Sequence, residues 1–178
     1  MIQRHMAAGF ITLVVALLAG FGSSVGAQTE TGDFSGTAGF TGKAFRIHMV
    51  DHSPKFILAE LTGHTLNDRG EGLFHKMSLD CTFSIEVVDM PSTEDMGYCT
   101  FLDSDGDNIV VRAKSKGTLG DGAIGSIVAV SGTGKYKGIT LTGTYRTTNV
   151  PDTTPNPRLR ARDKFQGLIT FSGNYHLP

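Results

Sequence analysis

The chain has 178 residues and a formal net charge of −1, from 16 lysines and arginines against 17 aspartates and glutamates. This length fits one domain, and the lack of a basic surplus excludes a nucleic-acid-binding protein, whose affinity comes from neutralising phosphates. Glycine (23 residues) and phenylalanine (11 residues) are abundant and tryptophan is absent, so the composition favours strands and tight turns over helices.

The amino terminus has the three parts of a cleavable signal peptide. Arg4 gives a basic start, residues 6–21 form an apolar run, and small residues lead up to Ala27. The apolar run of about 16 residues is shorter than the roughly 20 that a membrane-spanning helix needs, which favours cleavage over a retained anchor. We therefore predict that residues 1–27 are removed and that the mature chain is secreted or periplasmic, without a stable membrane anchor.

Residues 28–44 are rich in glycine, threonine and serine, and we expect them to form a flexible lead-in to a single β domain over residues 45–178. In that domain apolar and polar residues alternate with a period of two, which is typical of strands with one buried face. Ile109, Val111 and Ala113 show this pattern. The predicted strands cover residues 45–49, 56–65, 73–79, 81–87, 98–102, 109–114, 124–130, 139–145 and 167–175.

Turn signals such as Asp105-Gly106 separate the predicted strands. Eight or nine strands with one apolar face each fit either a sandwich or an antiparallel barrel. Gly143 and Gly173 interrupt their strands, and glycines at such positions provide the bends that a closing barrel needs. We therefore predict an all-β protein with an antiparallel barrel.

Cys81 and Cys99 are the two cysteines of the chain. An even number of cysteines in an exported protein predicts a disulfide bond, whereas a metal or redox pair would need C-x-x-C spacing or neighbouring ligands. The bond would tether a loop at residues 89–97 and would act as a structural staple.

Two glutamates in apolar strand segments, Glu60 and Glu86, are candidate catalytic residues. A carboxylate that faced the interior of a barrel would have a raised pKa and could serve as an acid or a base. The alternative is that each side chain points to solvent. For Glu86 the alternation favours solvent, whereas for Glu60 the pattern is ambiguous because both of its flanks are apolar.

Asp103, Asp105 and Asp107 are candidate calcium ligands. A calcium loop of the EF-hand type needs glycine at its sixth position and glutamate at its twelfth, but those positions hold Asn108 and Lys114 here. The alternative, a hairpin turn in which Asp105-Gly106 supplies positive φ angles, fits the flanking strands better. No motif indicates a cofactor.

Residues 149–164 contain three prolines and a basic run, and no strand pattern fits them. Long connections in compact domains often serve as lids or binding loops. A plain solvated surface loop is the alternative interpretation.

The motifs between residues 75 and 146 together resemble a known family. They comprise Cys99-Thr100-Phe101, the aspartate turn at 103–107, Ser131-Gly132-Thr133-Gly134-Lys135-Tyr136 and Gly143-Thr144-Tyr145. This pattern resembles bacterial exported proteins with an allene oxide cyclase-like barrel and is similar, more distantly, to dirigent proteins. The resemblance implies an eight-stranded antiparallel barrel with a central apolar cavity. It implies a structural role for the glycine turn, and none of the family's functional residues maps onto this sequence.

Three functions are compatible with these patterns. The first is an exported barrel that binds a small apolar ligand in its lumen. The second is an isomerase or cyclase that acts on an apolar substrate in the same cavity with the help of one lumen carboxylate. The third is an exported interaction or inhibitor module that uses residues 149–164.

Overall fold

The computed structural model describes residues 29–150 and 164–178. The predicted signal peptide and residues 151–163 lie outside the described residues. Each strand pairs antiparallel with its neighbours in sequence, and the last strand pairs with the first. The strands are β1 (Glu30–Val50), β2 (Ser53–Asn67), β3 (Ser78–Asp89), β4 (Ser92–Leu102), β5 (Asn108–Thr118), β6 (Gly122–Gly132), β7 (Thr140–Val150) and β8 (Lys164–Leu177), with a 3-10 turn at Gly134–Tyr136.

The predicted eight-stranded antiparallel barrel is confirmed, and the period-two pattern explains its interior. On β5, Ile109, Val111 and Ala113 are buried, whereas Arg112 and Lys114 between them are exposed. Successive side chains of a strand point to opposite faces, so one set from each strand fills the barrel. No helix in the described part of the chain is long and apolar enough to cross a membrane.

The prediction of a flexible lead-in at residues 28–44 is wrong, because β1 begins at Glu30 and pairs along its length with β2 and β8. Several of the glycines that suggested a loose segment lie against aromatic rings instead. A Cβ atom at Gly42 would lie 2.3 Å from the ring of Phe165, and one at Gly36 would lie 2.9 Å from that of Phe171. Residues 30–44 therefore belong to the β domain.

The strand predicted at residues 73–79 is also wrong over most of its length, because β3 begins only at Ser78. Phe74 and Lys76 have φ angles of 63° and 55°, which no strand contains. The connection between β2 and β3 instead folds into one end of the barrel. There the side chain of Asn67 holds it by donating a hydrogen bond of 2.7 Å to the carbonyl oxygen of Leu73.

The side chain of Phe74 fills this end of the barrel. Its side chain is fully buried, and its ring centre lies 4.5 Å from that of Phe101, 5.0 Å from that of Phe34 and 5.6 Å from that of Phe171. Tilted and edge-on ring pairs at such distances are favourable. We call the end with Phe74 the closed end.

The disulfide between Cys81 and Cys99 is confirmed, and it joins residues that lie directly opposite each other on β3 and β4. The loop that it was expected to tether does not exist, because β4 starts at Ser92 and only Met90 and Pro91 separate the strands. The bond therefore staples the two strands of one hairpin inside the buried core.

Candidate functional site

The other end of the barrel contains a cavity of about 310 Å³. Residues at and beside the β5–β6 turn, such as Thr118, Leu119 and Gly120, border it, and we call this end the open end. A hydrogen bond of 2.8 Å from the Leu119 amide to the Pro91 carbonyl holds these two turns together. Much of the wall is apolar and includes Phe40, Ile57, Leu61, Phe83, Ile85 and Phe165.

A row of polar side chains crosses this apolar wall. The strand register places Asp95 of β4 opposite Ser115 of β5, Ser115 opposite Gly125 of β6, and Gly125 opposite Tyr145 of β7. Thr93, two residues before Asp95, lies on the same face of β4 and is buried. We call Thr93, Asp95, Ser115 and Tyr145 the polar row.

Gly125 lets the two halves of the polar row approach each other. A Cβ atom at this position would lie 2.7 Å from Cβ of Ser115 and 2.8 Å from the ring of Tyr145. Because glycine has no side chain, the tyrosine ring can lie across β6 towards Ser115. Any larger residue would push the ring away from the row.

Hydrogen bonding in the polar row is incomplete. The Ser115 hydroxyl donates to Oδ2 of Asp95 over 3.1 Å, but Oδ1 of Asp95 and the hydroxyl of Tyr145 are buried and have no hydrogen-bond partner among the described residues. Buried polar atoms are normally paired, and each unpaired one costs stability. These two atoms therefore impose a local cost on the fold, inside a wall that borders the cavity.

The pKa values of this row depart from their ordinary ranges. Burial raises the pKa of the Asp95 carboxyl above its usual 3.8, although hydrogen bonds from Thr93 and Ser115 oppose the shift. Burial also raises the pKa of the Tyr145 phenol to about 12, against the opposing influence of nearby Ser115. The phenol is therefore protonated at neutral pH and is available as a hydrogen-bond donor.

The two candidate catalytic glutamates do not face the lumen, which agrees with the alternative that each side chain points to solvent, the one that alternation favoured for Glu86. Glu60 borders the cavity, but its side chain is exposed and lies in an outward row, opposite Lys43 and Thr82. Glu86 is exposed opposite Phe56. Both occupy outward positions because the inward positions of their strands hold the neighbouring apolar residues. The lumen carboxylate is Asp95 instead.

The predicted calcium ligands lie at the closed end, around a lysine. The ammonium group of Lys135 is 2.6 Å from a carboxylate oxygen of Asp103 and 2.6 Å from one of Asp105. Asp107 accepts a hydrogen bond of 3.1 Å from the Lys135 amide. In the described part of the chain, no three acidic, histidine or cysteine side chains are arranged to hold a metal ion.

This acidic turn is a hairpin, as the alternative interpretation predicted. Oδ1 of Asp103 accepts hydrogen bonds from the amides of Asp105 and Asp107 at 2.8 and 3.0 Å, and Gly106 has a φ of 89°. Burial would raise the pKa of Asp103, but hydrogen bonds from Lys135 and from these amides outweigh it and hold the pKa below its ordinary value. Ion pairs and hydrogen bonds to Lys135 thus join the turn at residues 103–107 to the glycine-rich segment at residues 131–136.

Sequence reasoning missed Asp95 because it assigned residues 89–97 to a loop. A usable signal was nevertheless present. If Cys81 and Cys99 lie opposite each other on an antiparallel hairpin, then Ile85 and Asp95, each four residues from its cysteine, lie opposite each other on the same face. The disulfide alone could therefore have placed Asp95 in the lumen.

No protein-family model matches the sequence, and no curated protein matches it. Among solved structures, the chain is similar to the pterocarpan synthase dirigent protein GePTS1, with 10% sequence identity and a TM-score of 0.43. The match covers 96% of this chain and 99% of that chain. The strand order of the chain itself is that of a closed, eight-stranded antiparallel barrel, the fold that the sequence resemblance to allene oxide cyclase-like and dirigent-like barrels implied.

Proposed function

We propose that this protein binds a small, mainly apolar molecule in the open half of its barrel. The observation that carries the proposal is the cavity of about 310 Å³, whose mainly apolar wall includes the polar side chains of Asp95, Ser115 and Tyr145. Small-molecule sites in proteins are concave, mostly apolar, and equipped with a few placed polar groups. Eight-stranded barrels otherwise tend to fill their interior with side chains.

The size of the cavity limits the ligand. Its volume corresponds to about ten water molecules at roughly 30 Å³ each, and it lies at the small end of the usual range for ligand sites. One aromatic ring with a short chain would fit inside it, and a molecule of about two or three aromatic rings would fill it. Such a ligand gains affinity from its apolar body, and the polar row fixes its orientation.

We also propose that the protein acts outside the cytoplasm. The predicted signal peptide supports export, and the Cys81–Cys99 disulfide supports an oxidising compartment because cytosolic thiols are kept reduced. The ligand would accordingly be one that is present in the periplasm or outside the cell.

Titration with the neutral fluorophore N-phenyl-1-naphthylamine tests lumen binding. Ala59 is buried and lines the cavity, so Ala59→Phe should fill part of the lumen and weaken probe binding by about tenfold or more. Leu58→Phe adds an aromatic ring one residue away, on the opposite face of the same strand, and should leave the affinity unchanged. Equal binding by wild type and Ala59→Phe, with both folded by circular dichroism, would place the probe outside the lumen and refute the proposal.

A second candidate function, isomerase or cyclase, is favoured by one observation. The carboxyl of Asp95, whose pKa is raised by burial, shares a row with the phenol of Tyr145, which is protonated at neutral pH. A base and a proton donor on one wall could move a proton between two positions of a bound substrate. If the protein is such an enzyme, Tyr145→Phe should abolish turnover of a bound ligand while binding persists. The interaction module at residues 149–164 stays a prediction.

A further inference from the structure

Among the described residues, the charged side chain inside the lumen wall is acidic. Of the charged residues that line the cavity, Glu60 and Lys164 are exposed, and Asp95 belongs to the polar row inside the wall. The groups that act on the Asp95 carboxyl are the hydroxyls of Thr93 and Ser115, and no cation among the described residues is one of them. The open half of the barrel therefore contains an acidic group that lacks a counter-ion in the described part of the chain.

A carboxylate in this position lowers the stability of the folded protein when no ligand compensates its charge. Moving a carboxylate from water to an apolar wall requires compensation by hydrogen bonds or by an opposite charge. Oδ2 of Asp95 receives a hydrogen bond from Ser115, but no cation among the described residues acts on the carboxyl. A ligand that brings a positive charge into the cavity beside Asp95 would supply the missing compensation.

The surroundings of Asp95 favour a cation over a neutral donor. Charges attract more strongly where apolar groups exclude water, and Ile57 and Ile85 lie in the same inward row as Asp95. Hydrogen bonds to charged groups are also stronger than neutral ones. We infer that the ligand is a small apolar amine whose ammonium group pairs with Asp95 while its hydrocarbon body fills the lumen. This inference rests on the proposed lumen binding.

Three probes with one skeleton test this inference by isothermal titration at neutral pH: 3-phenylpropylamine, 3-phenylpropan-1-ol and 3-phenylpropanoate. They have closely similar size and differ in the charge of the terminal group. The amine should bind the wild-type protein about tenfold or more tighter than the alcohol, and the carboxylate should bind most weakly of the three. Equal affinity for the amine and the alcohol would overturn the amine inference.

Substitution of the carboxylate provides the second measurement. Asp95→Asn should weaken amine binding by about tenfold and change alcohol binding by less than about threefold. Glu86→Gln, which neutralises an exposed carboxylate outside the barrel, is the matched control and should leave amine binding unchanged. If Asp95→Asn binds the amine as tightly as wild type does, the pairing with Asp95 is refuted.

The failures of the two proposals are distinguishable. If the naphthylamine fluorophore binds in an Ala59-dependent way but the amine has no preference over the alcohol, lumen binding stands and the ligand class is wrong. If the fluorophore binds equally well to Ala59→Phe, lumen binding itself fails, and the amine inference fails with it.

Discussion

The two ends of this barrel use the same acidic residue type in opposite ways. At the closed end, Asp103 is ion-paired with Lys135 and receives two backbone hydrogen bonds, next to a barrel end that Phe74 fills. At the open end, Asp95 lines a cavity and has no cation beside it in the described part of the chain.

This difference separates the part of the barrel that is built for stability from the part that is suited to binding. The pKa of Asp103 is lowered and that of Asp95 is raised, so the fold stabilises one carboxylate and destabilises the other. Sites that bind or catalyse commonly contain such unfavourable local arrangements, and the rest of the structure compensates for them. The contrast can be tested one residue at a time.

The largest effect on stability should come from removing the Phe74 ring at the closed end. Phe74→Ala deletes a fully buried ring with three aromatic neighbours, and should lower the free energy of unfolding by about 3–5 kcal/mol. Urea denaturation measures this loss. Ile47→Ala, at the half-exposed rim of the open end, should cost less than about 1 kcal/mol. Equal losses would mean that the two ends do not differ in packing.

The disulfide should contribute the next largest effect. Its cysteines are separated by 18 positions, and closing a loop of that size stabilises a protein by about 3 kcal/mol in the chain-entropy model. Urea denaturation of the Cys81→Ala, Cys99→Ala double variant should show a loss of that order. A loss below about 1 kcal/mol would mean that the β3–β4 hairpin is held by packing and strand pairing alone.

Much of the fold could be predicted from sequence because most strands carry their own signal. Apolar residues such as Val111 and Ala113 alternate with the polar residues Arg112 and Lys114, and that local pattern needs no knowledge of the partner strand. β1 could not be found in this way. The partner that makes Gly42 a strand residue is Phe165, whose ring occupies the space of the missing side chain, and that partner lies far along the chain.

The candidate site was harder to predict than the fold. The sequence correctly predicted a strand ending at Tyr145, but the glutamates Glu60 and Glu86 were the carboxylates that it suggested. Asp95 lies between Glu94 and Met96, without the apolar alternation that marks a strand, so only its register against β3 reveals its position. Local patterns identify faces, whereas a site made from several strands depends on register.

A smaller effect is expected from neutralising the carboxylate of the closed end. Asp103→Asn keeps an oxygen for the hydrogen bonds from Asp105 and Asp107 but removes the charge that pairs with Lys135. Because the pKa of Asp103 is lowered by folding, its ionised form stabilises the protein above pH 3.8. The variant should therefore be less stable than wild type at neutral pH, by less than Phe74→Ala.

The pH dependence checks this mechanism for Asp103. The stabilisation is lost as the pH falls below 3.8 through the lowered folded-state pKa, so the unfolding free energies of wild type and variant should converge there. A difference that stays constant down to that range would mean that packing, not charge, explains the loss.

The smallest effect, and the one of opposite sign, is expected at the open end. The pKa of Asp95 is raised by folding, so the ionised carboxylate costs stability above pH 3.8, and this cost disappears as the pH falls through the raised folded-state pKa. Asp95→Asn should therefore be slightly more stable than wild type at neutral pH, and the gain should vanish in acid. Urea denaturation across this pH range measures it.

The same substitution should weaken amine binding while it strengthens the fold. Such a combination is the mark of a residue kept for function at the expense of stability. If Asp95→Asn instead destabilises the protein at neutral pH, Asp95 is a structural partner of Ser115 and Thr93, and the two ends of the barrel do not differ in the way that their pKa shifts indicate.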